Sequence, residues 1–154
     1  MLRRIHNNKE ISCINPLVDI YNAASIKYLL PCGGEDMDKI EQDMELTLSD
    51  GKEIFIPFGS NEEEKPNINE VIYKSGNLVV CRCFNWREAD FSKLTTDTEN
   101  AVLIMECINL EDVDTLKEAL NYMGNTVTSL LGGTCKSYIL NKNNPILAVD
   151  NTPT

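Results

Sequence analysis

The sequence predicts an α+β domain, a mixed or antiparallel sheet with helices packed on it. The order of its segments carries that expectation. A proline-started helix, Asn15 to Leu30, lies early in the chain, and a segment with helical apolar spacing, Leu110 to Leu131, lies late. Between them stand short runs divided by turn signals, and one near-continuous apolar run from Ala101 to Ile108.

In the first helix Pro16 has no N–H to lose and suits the first turn, so Asn15 reads as the N-cap. Asn15, Asp19 and Asn22 fall at i, i+4 and i+7 on one face, while Leu17, Val18, Ile20, Tyr21, Ala24 and Leu30 are among the apolar residues covering the rest. Such a narrow polar stripe faces either a strip of solvent or a polar cleft.

Pro31-Cys32-Gly33-Gly34-Glu35-Asp36 reads as a loop whose glycines take positive φ or allow close backbone approach. Asp36 to Ile40 reads as a short helical turn. Glu45–Leu48 and Glu53–Ile56 form an expected hairpin with Asp50-Gly51 as its turn. Residues 57–69 are polar, acidic and rich in breakers, hence a surface loop.

Glu70–Lys74 and Leu78–Phe84 make a second expected hairpin around Ser75-Gly76-Asn77, and Cys81 and Cys83 would share one face of its strand. Ala101–Ile108 has the composition of a central strand buried on both faces, interrupted by Glu106. Val113, Leu116, Leu120, Met123, Val127 and Leu130 form one stripe of the late helix, which Gly132-Gly133 stops. Thr134 to Leu140 reads as a final strand. The expectation is one domain over 1–140 and a tail over 141–154.

Composition narrows the function. The formal charge is −10, with acidic concentrations at Glu62-Glu63-Glu64 and at Glu111, Asp112 and Asp114, against non-specific binding to nucleic acid and DNA. Local basic candidates are Arg3, Arg4 and Lys9, or Arg82, Arg87 and Lys93. No apolar run approaches a bilayer span and no secretory signal opens the chain, so a cytoplasmic protein without membrane contact is expected. The cysteines (Cys13, Cys32, Cys81, Cys83, Cys107 and Cys135) read as reduced thiols. With no C-x-x-C and one histidine, His6, neither a zinc site nor Cys–His catalysis is expected, and no cofactor is implied.

Three stretches together resemble a known family. Ile14-Asn15-Pro16-Leu17-Val18-Asp19-Ile20-Tyr21-Asn22 is similar to a family helix "inpvVDitNy". Leu30-Pro31-Cys32-Gly33-Gly34-Glu35-Asp36-Met37-Asp38-Lys39-Ile40 is similar to "qPlHafDldkl". Arg82-Cys83-Phe84-Asn85-Trp86-Arg87, followed by Thr98-Glu99-Asn100 and Glu106, is similar to "cRrwNWRqad" and the segment after it. The chain thereby resembles the tRNA-editing domain of the bacterial phenylalanyl-tRNA synthetase beta chain (its B three/four domain), and more closely that domain's free-standing relatives. The resemblance covers about Leu2 to Leu140. It departs at Gly33, where the synthetase has a histidine, and around Phe84–Trp86, where the synthetase has a glycine-rich turn. The match of Glu106 is offset by about two positions, and the resemblance implies a form lacking an N-terminal segment of the free-standing relatives.

What the resemblance implies is a trans-acting aminoacyl-tRNA deacylase, or alternatively a non-catalytic module that binds tRNA or an amino acid on the same fold. The implied partner is the aminoacylated 3′ end of tRNA, with a second copy or a synthetase as further partners. The ester is already labile, so positioning a water and rejecting the cognate amino acid suffice. Asp19, Asp36 and Glu106 are the catalytic candidates. Glu106, in an apolar strand, either orients water, binds an ammonium or polar side chain, or pairs with Arg82 or Arg87. Asn15, Asn22 and Asn85 either bind substrate or cap and brace turns. Gly33 and Gly34 offer amides to the ester carbonyl or make the turn, and Trp86 stacks on the terminal adenine or packs. Arg87 is the phosphate candidate, while Arg82 is better placed for an internal ion pair. The acidic candidates make a cationic or polar amino acid as reasonable a substrate as tyrosine.

Overall fold

Asn15 starts the first helix as its neighbours dictate. In the computed structural model, which describes residues 5–8, 10 and 12–149, helix α1 spans Pro16–Tyr28. The Asn15 side-chain oxygen accepts from Val18 N at 2.9 Å, and Pro16 occupies the first turn.

The glycine segment after α1, expected as a loop, is instead strand β1 (Cys32–Asp36). It runs antiparallel to β6 (Ala101–Met105), with Gly33 opposite Ile104 and Gly34 opposite Leu103. Neither glycine has positive φ, so both keep an ordinary strand backbone and serve close approach instead. A Cβ at Gly34 would stand 2.6 Å from Leu103 Cδ2 and 2.9 Å from Leu94 Cδ1, and one at Gly33 would stand 3.0 Å from Glu88 Oε1. Asp36 then caps the expected short turn, a 3₁₀ turn over Met37–Lys39, by accepting from Asp38 N at 3.0 Å.

A second sheet holds β2 (Met44–Leu48), β3 (Val71–Ser75), β4 (Leu78–Arg82) and β5 (Arg87–Glu88), antiparallel and in that order. The expected pairing of Glu45–Leu48 with Glu53–Ile56 does not form. Gly51 does turn the chain at φ 81°, but Glu53 folds back to accept from Ser49 Oγ at 2.6 Å, and β2 pairs with β3. Ile54 and Phe55 make only single bridges, to Leu78 and Glu64. The hairpin of β3 and β4 turns at Gly76 as expected, φ 58°, but β4 stops at Arg82 because Cys83 and Phe84 are both left-handed, φ 55° and 69°. Cys81 is therefore buried in the strand while Cys83 lies exposed beyond it, and the two do not share a strand face.

A 3₁₀ turn over Leu110–Asp112 leads into helix α2 (Val113–Leu131), which ends at Gly132 with φ 79°. Leu116, Ala119 and Met123 are buried on α2, whereas Leu130 of the expected stripe is 71% exposed. The expected strand over Thr134–Leu140 is absent. That segment lies by α2, with Cys135 Sγ 3.4 Å from where a Gly124 Cβ would be. A helix satisfies its own backbone and offers no ladder to join.

The β1–β6 ribbon is the middle layer. Leu103 and Met105 pack with Ile20, Ala24, Leu116, Ala119 and Met123 of the helices, while Ile104 packs on Tyr73, Val80 and Cys81 of the sheet. β6 was expected to be fully buried in a sheet; it pairs with β1 alone, and Met105 is its one buried residue. Phe55, Ile72, Val79 and Val80 are wholly buried, each contributing about 1.5–3 kcal/mol.

Arg82, expected to form an internal ion pair, does so. Its Nε and Nη2 meet Glu70 at 2.9 and 2.8 Å and its Nη1 meets Glu64 at 3.0 Å. Arg87 grips the same Glu64 at 2.7 and 2.9 Å. Both guanidinium groups lie over the Phe55 ring, 5.5 and 5.4 Å from its centre. The bonds from Arg82 hold the Glu70 carboxyl well below the usual carboxylate range. Burial opposes ionisation of Glu53, but Ser49, backbone amides and Lys74 outweigh it and lower that carboxyl to about 2.

Gly34→Ala should destabilise the protein by about 1–3 kcal/mol through overpacking against Leu103 and Leu94, measured by urea unfolding. Both Glu53 and Glu70 have folded values below the unfolded one of about 4.3, so their stabilisation is complete above it and lost as pH falls through the folded values. The urea midpoint should drop between about pH 4.3 and pH 2, and Glu70→Gln should make that drop shallower.

Candidate functional site

A cleft opens between the ribbon and the four-stranded sheet. It is lined by Gly33, Gly34, Glu35 and Ile104 on one side and by Met44, Tyr73, Val80, Cys81, Asn85 and Glu88 on the other. About 10 Å³ of it admits the centre of a water molecule, room for roughly one water. From α1, the Tyr21 ring comes within 3.3 Å of where a Gly34 Cβ would sit. Burial, then the charge of Glu88, pushes the Tyr21 hydroxyl above its ordinary range, so it stays protonated.

Two carboxyls face each other in this cleft. Glu35 of β1 is 4% exposed, and Glu88 of β5 reaches it because Gly33 has no side chain. Among the described residues neither makes an ion pair. Apart from the hydrogen bond between the two carboxyls, the Oε2 atoms of both, and Asn85 Nδ2, are buried without a partner. Burial first, then the hydrogen bond and charge of Glu88, push the Glu35 carboxyl up, and burial pushes Glu88 up as well. Two like charges this close do not both ionise at neutral pH, so the pair shares a proton.

The thiols beside the pair are inert. Burial and the Glu88 charge push Cys32 up to about 12 and raise Cys81 further, so neither supplies a thiolate. Among the described residues, no group of three or more His, Cys, Asp or Glu is placed to hold a metal ion.

The residues singled out from sequence are distributed as follows. Gly33, Gly34 and Asn85 line the cleft. Glu106, just past β6, accepts a hydrogen bond from the hydroxyl of Tyr73, which is a cleft residue, and burial pushes its carboxyl up. The alternative ion pair of Glu106 with Arg82 or Arg87 does not form, because both arginines are held by Glu64 and Glu70. Asn15 caps α1 and reaches Leu94 O at 3.4 Å. Asp19 accepts from Ile14 N at 2.9 Å, and Asn22 is half-buried on the same helix. Asp36 accepts from Asp38 N and, at 2.8 Å, from the Thr98 hydroxyl. Trp86 is 78% exposed on the turn that carries Asn85.

Of the basic candidates, Arg82 and Arg87 are paired as described and Lys93 meets Asp90 at 2.9 Å. Arg3, Arg4 and Lys9 lie outside the described residues. Sequence reasoning missed Glu35, Glu88, Tyr21 and Tyr73. Reading 31–36 as a strand would have placed Glu35 on the same face as Gly33, turned inward with it.

A family model described as the B3/4 domain matches residues 1–131. Among solved structures, the chain is similar to an N-terminal fragment of the phenylalanyl-tRNA synthetase beta-subunit from Pyrococcus horikoshii, with a TM-score of 0.59 and 17% identity. The match covers 73% of this chain and 39% of that one, so the chain spans about two fifths of the fragment. At that identity the likeness is one of fold. No curated protein matches the chain. Among the described residues, no helix is long and apolar enough to cross a membrane.

The acid pair has a stability signature. A carboxyl whose folded value is raised stabilises fully below the unfolded value of about 4.3, and that contribution is lost as pH rises. Glu35→Gln mimics the protonated form. Its stability relative to the parent protein should therefore increase steadily as pH rises above about 4.3; a gap that stays constant with pH, measured by urea unfolding, would contradict the shared proton.

Proposed function

This chain belongs to the B3/4 domain family, and we propose that it is a trans-acting deacylase that hydrolyses the ester of mischarged tRNA. The observation that carries the reading is that two of the three sequence stretches meet at one cleft. The second supplies Gly33, Gly34 and Glu35, the third supplies Asn85 and, through Tyr73, Glu106, while Tyr21 of the first closes on Gly34 from the helix side.

The chemistry asked of this cleft is modest. An aminoacyl ester on ribose is activated by the neighbouring hydroxyl and by its own ammonium, so a held water and an oriented carbonyl go far. In this reading Glu106, steadied by Tyr73, orients the water. Asn85 offers its unpartnered amide to the acyl group, and the backbone at Gly33 and Gly34 lets the ester come close. Asp19 and Asp36 fix the start of α1 and the end of the ribbon, while Asn15 caps the helix that carries Asn22 and Tyr21. Trp86, exposed beside Asn85, stacks on the terminal adenine, and the partner is the 3′ end of tRNA.

A second reading, a binding module that retained the fold without turnover, has its own support. Asp19 and Asp36 accept hydrogen bonds that hold the fold, and the described arginines beside the site are already paired.

The two readings separate on one assay, in which total tRNA charged with each amino acid in turn is incubated with the protein and acyl release is followed. Release from one or two species is expected, falling by roughly 10²-fold in Glu106→Gln with tRNA binding kept. No release from any species would overturn the deacylase and leave the binding module.

A further inference from the structure

Taking the deacylase reading for its ligand class, we infer that Glu35 and Glu88 form the seat of a primary ammonium group borne by the aminoacyl ligand. The first ground is uncompensated charge. Glu35 is 4% exposed and lines the cleft with Glu88, and apart from the proton they share their Oε2 atoms have no partner. A buried pair that keeps one negative charge, with no cation of the described chain against it, points to a cation that arrives from outside.

Size and charge then select the donor. The space between them admits about one water, which suits a single ammonium head group. No lysine or arginine of the described chain reaches the pair: Lys74 meets Glu45 and Glu53, Lys93 meets Asp90, and the arginines meet Glu64 and Glu70. A pair sharing one proton presents one negative charge, matched by one ammonium. Asn85 Nδ2, an unpartnered donor on the same wall, completes the pattern. An amino ester carries an ammonium donor and a carbonyl acceptor close together, the complement of two carboxyls and an amide.

The ammonium can sit on the α-carbon or at the end of a side chain. Three non-hydrolysable 3′-amides of 3′-amino-3′-deoxyadenosine separate these sources: norleucyl (α-ammonium only), 6-aminohexanoyl (terminal ammonium only) and hexanoyl (none). Binding to the full chain is measured by calorimetry. At least one ammonium-bearing amide should bind ten-fold or more tighter than hexanoyl, and the one that does names the source. That advantage should fall below about three-fold in Glu35→Gln and in Glu88→Gln. Equal binding of all three amides, no binding of any, or an advantage that survives both substitutions would overturn the inference, and the first two need no variant to fold. Acyl release is scored separately. Ammonium preference without release would remove the deacylase and leave the seat, while release without preference would do the reverse.

Discussion

Two adjacent residues without side chains allow a two-stranded ribbon to pass between a helix pair and a sheet, and the rest of the architecture depends on that passage. On the helix side, Gly34 lets Leu103, Leu94 and Tyr21 close over the backbone. On the sheet side, Gly33 lets Glu88 come up against the strand. A methyl group at Gly34 would press on three packed side chains at once and one at Gly33 would displace the Glu88 carboxylate, and densely packed interiors transmit such displacements. The same closeness shuts Glu35 away from water and gives the cleft its narrow bore. Core and site are therefore set by one steric condition.

Features decided within a few residues were legible in the sequence. Asn15-Pro16, the turn at Gly76 and the end of α2 at Gly132 are local, each settled by a cap or a glycine torsion. Strand partners were not legible. Glu45–Leu48 could meet Glu53–Ile56 or Val71–Ser75, and the choice of β3 came from Glu53 turning back on Ser49 and from burial of Ile72. Gly33-Gly34 was ambiguous in a different way. A glycine needed for torsion and a glycine needed for space look alike until the neighbouring layers are known.

The site divides along the same line. Gly33, Gly34 and Asn85 do line one cleft, and Arg82 does spend its charge internally. Glu106 was visible as a carboxylate in an apolar run, but its partner Tyr73 comes from a strand of the other sheet and carries no signal of its own. Glu35 and Glu88 were hidden most completely. One was read as loop, the other follows an arginine in an ordinary charged stretch, and only the three-layer arrangement brings them together.

The contact between Gly33 and Glu88 also bears on how such a cleft changes over generations. The synthetases that this chain resembles carry histidine at the position of Gly33. Here an imidazole would need the volume that the Glu88 carboxylate already fills. Positions 33 and 88 are thus sterically coupled: a side chain at 33 would require the flexible Glu88 carboxylate to swing aside, so a histidine-walled cleft and a diacid one are alternative fillings of the same space.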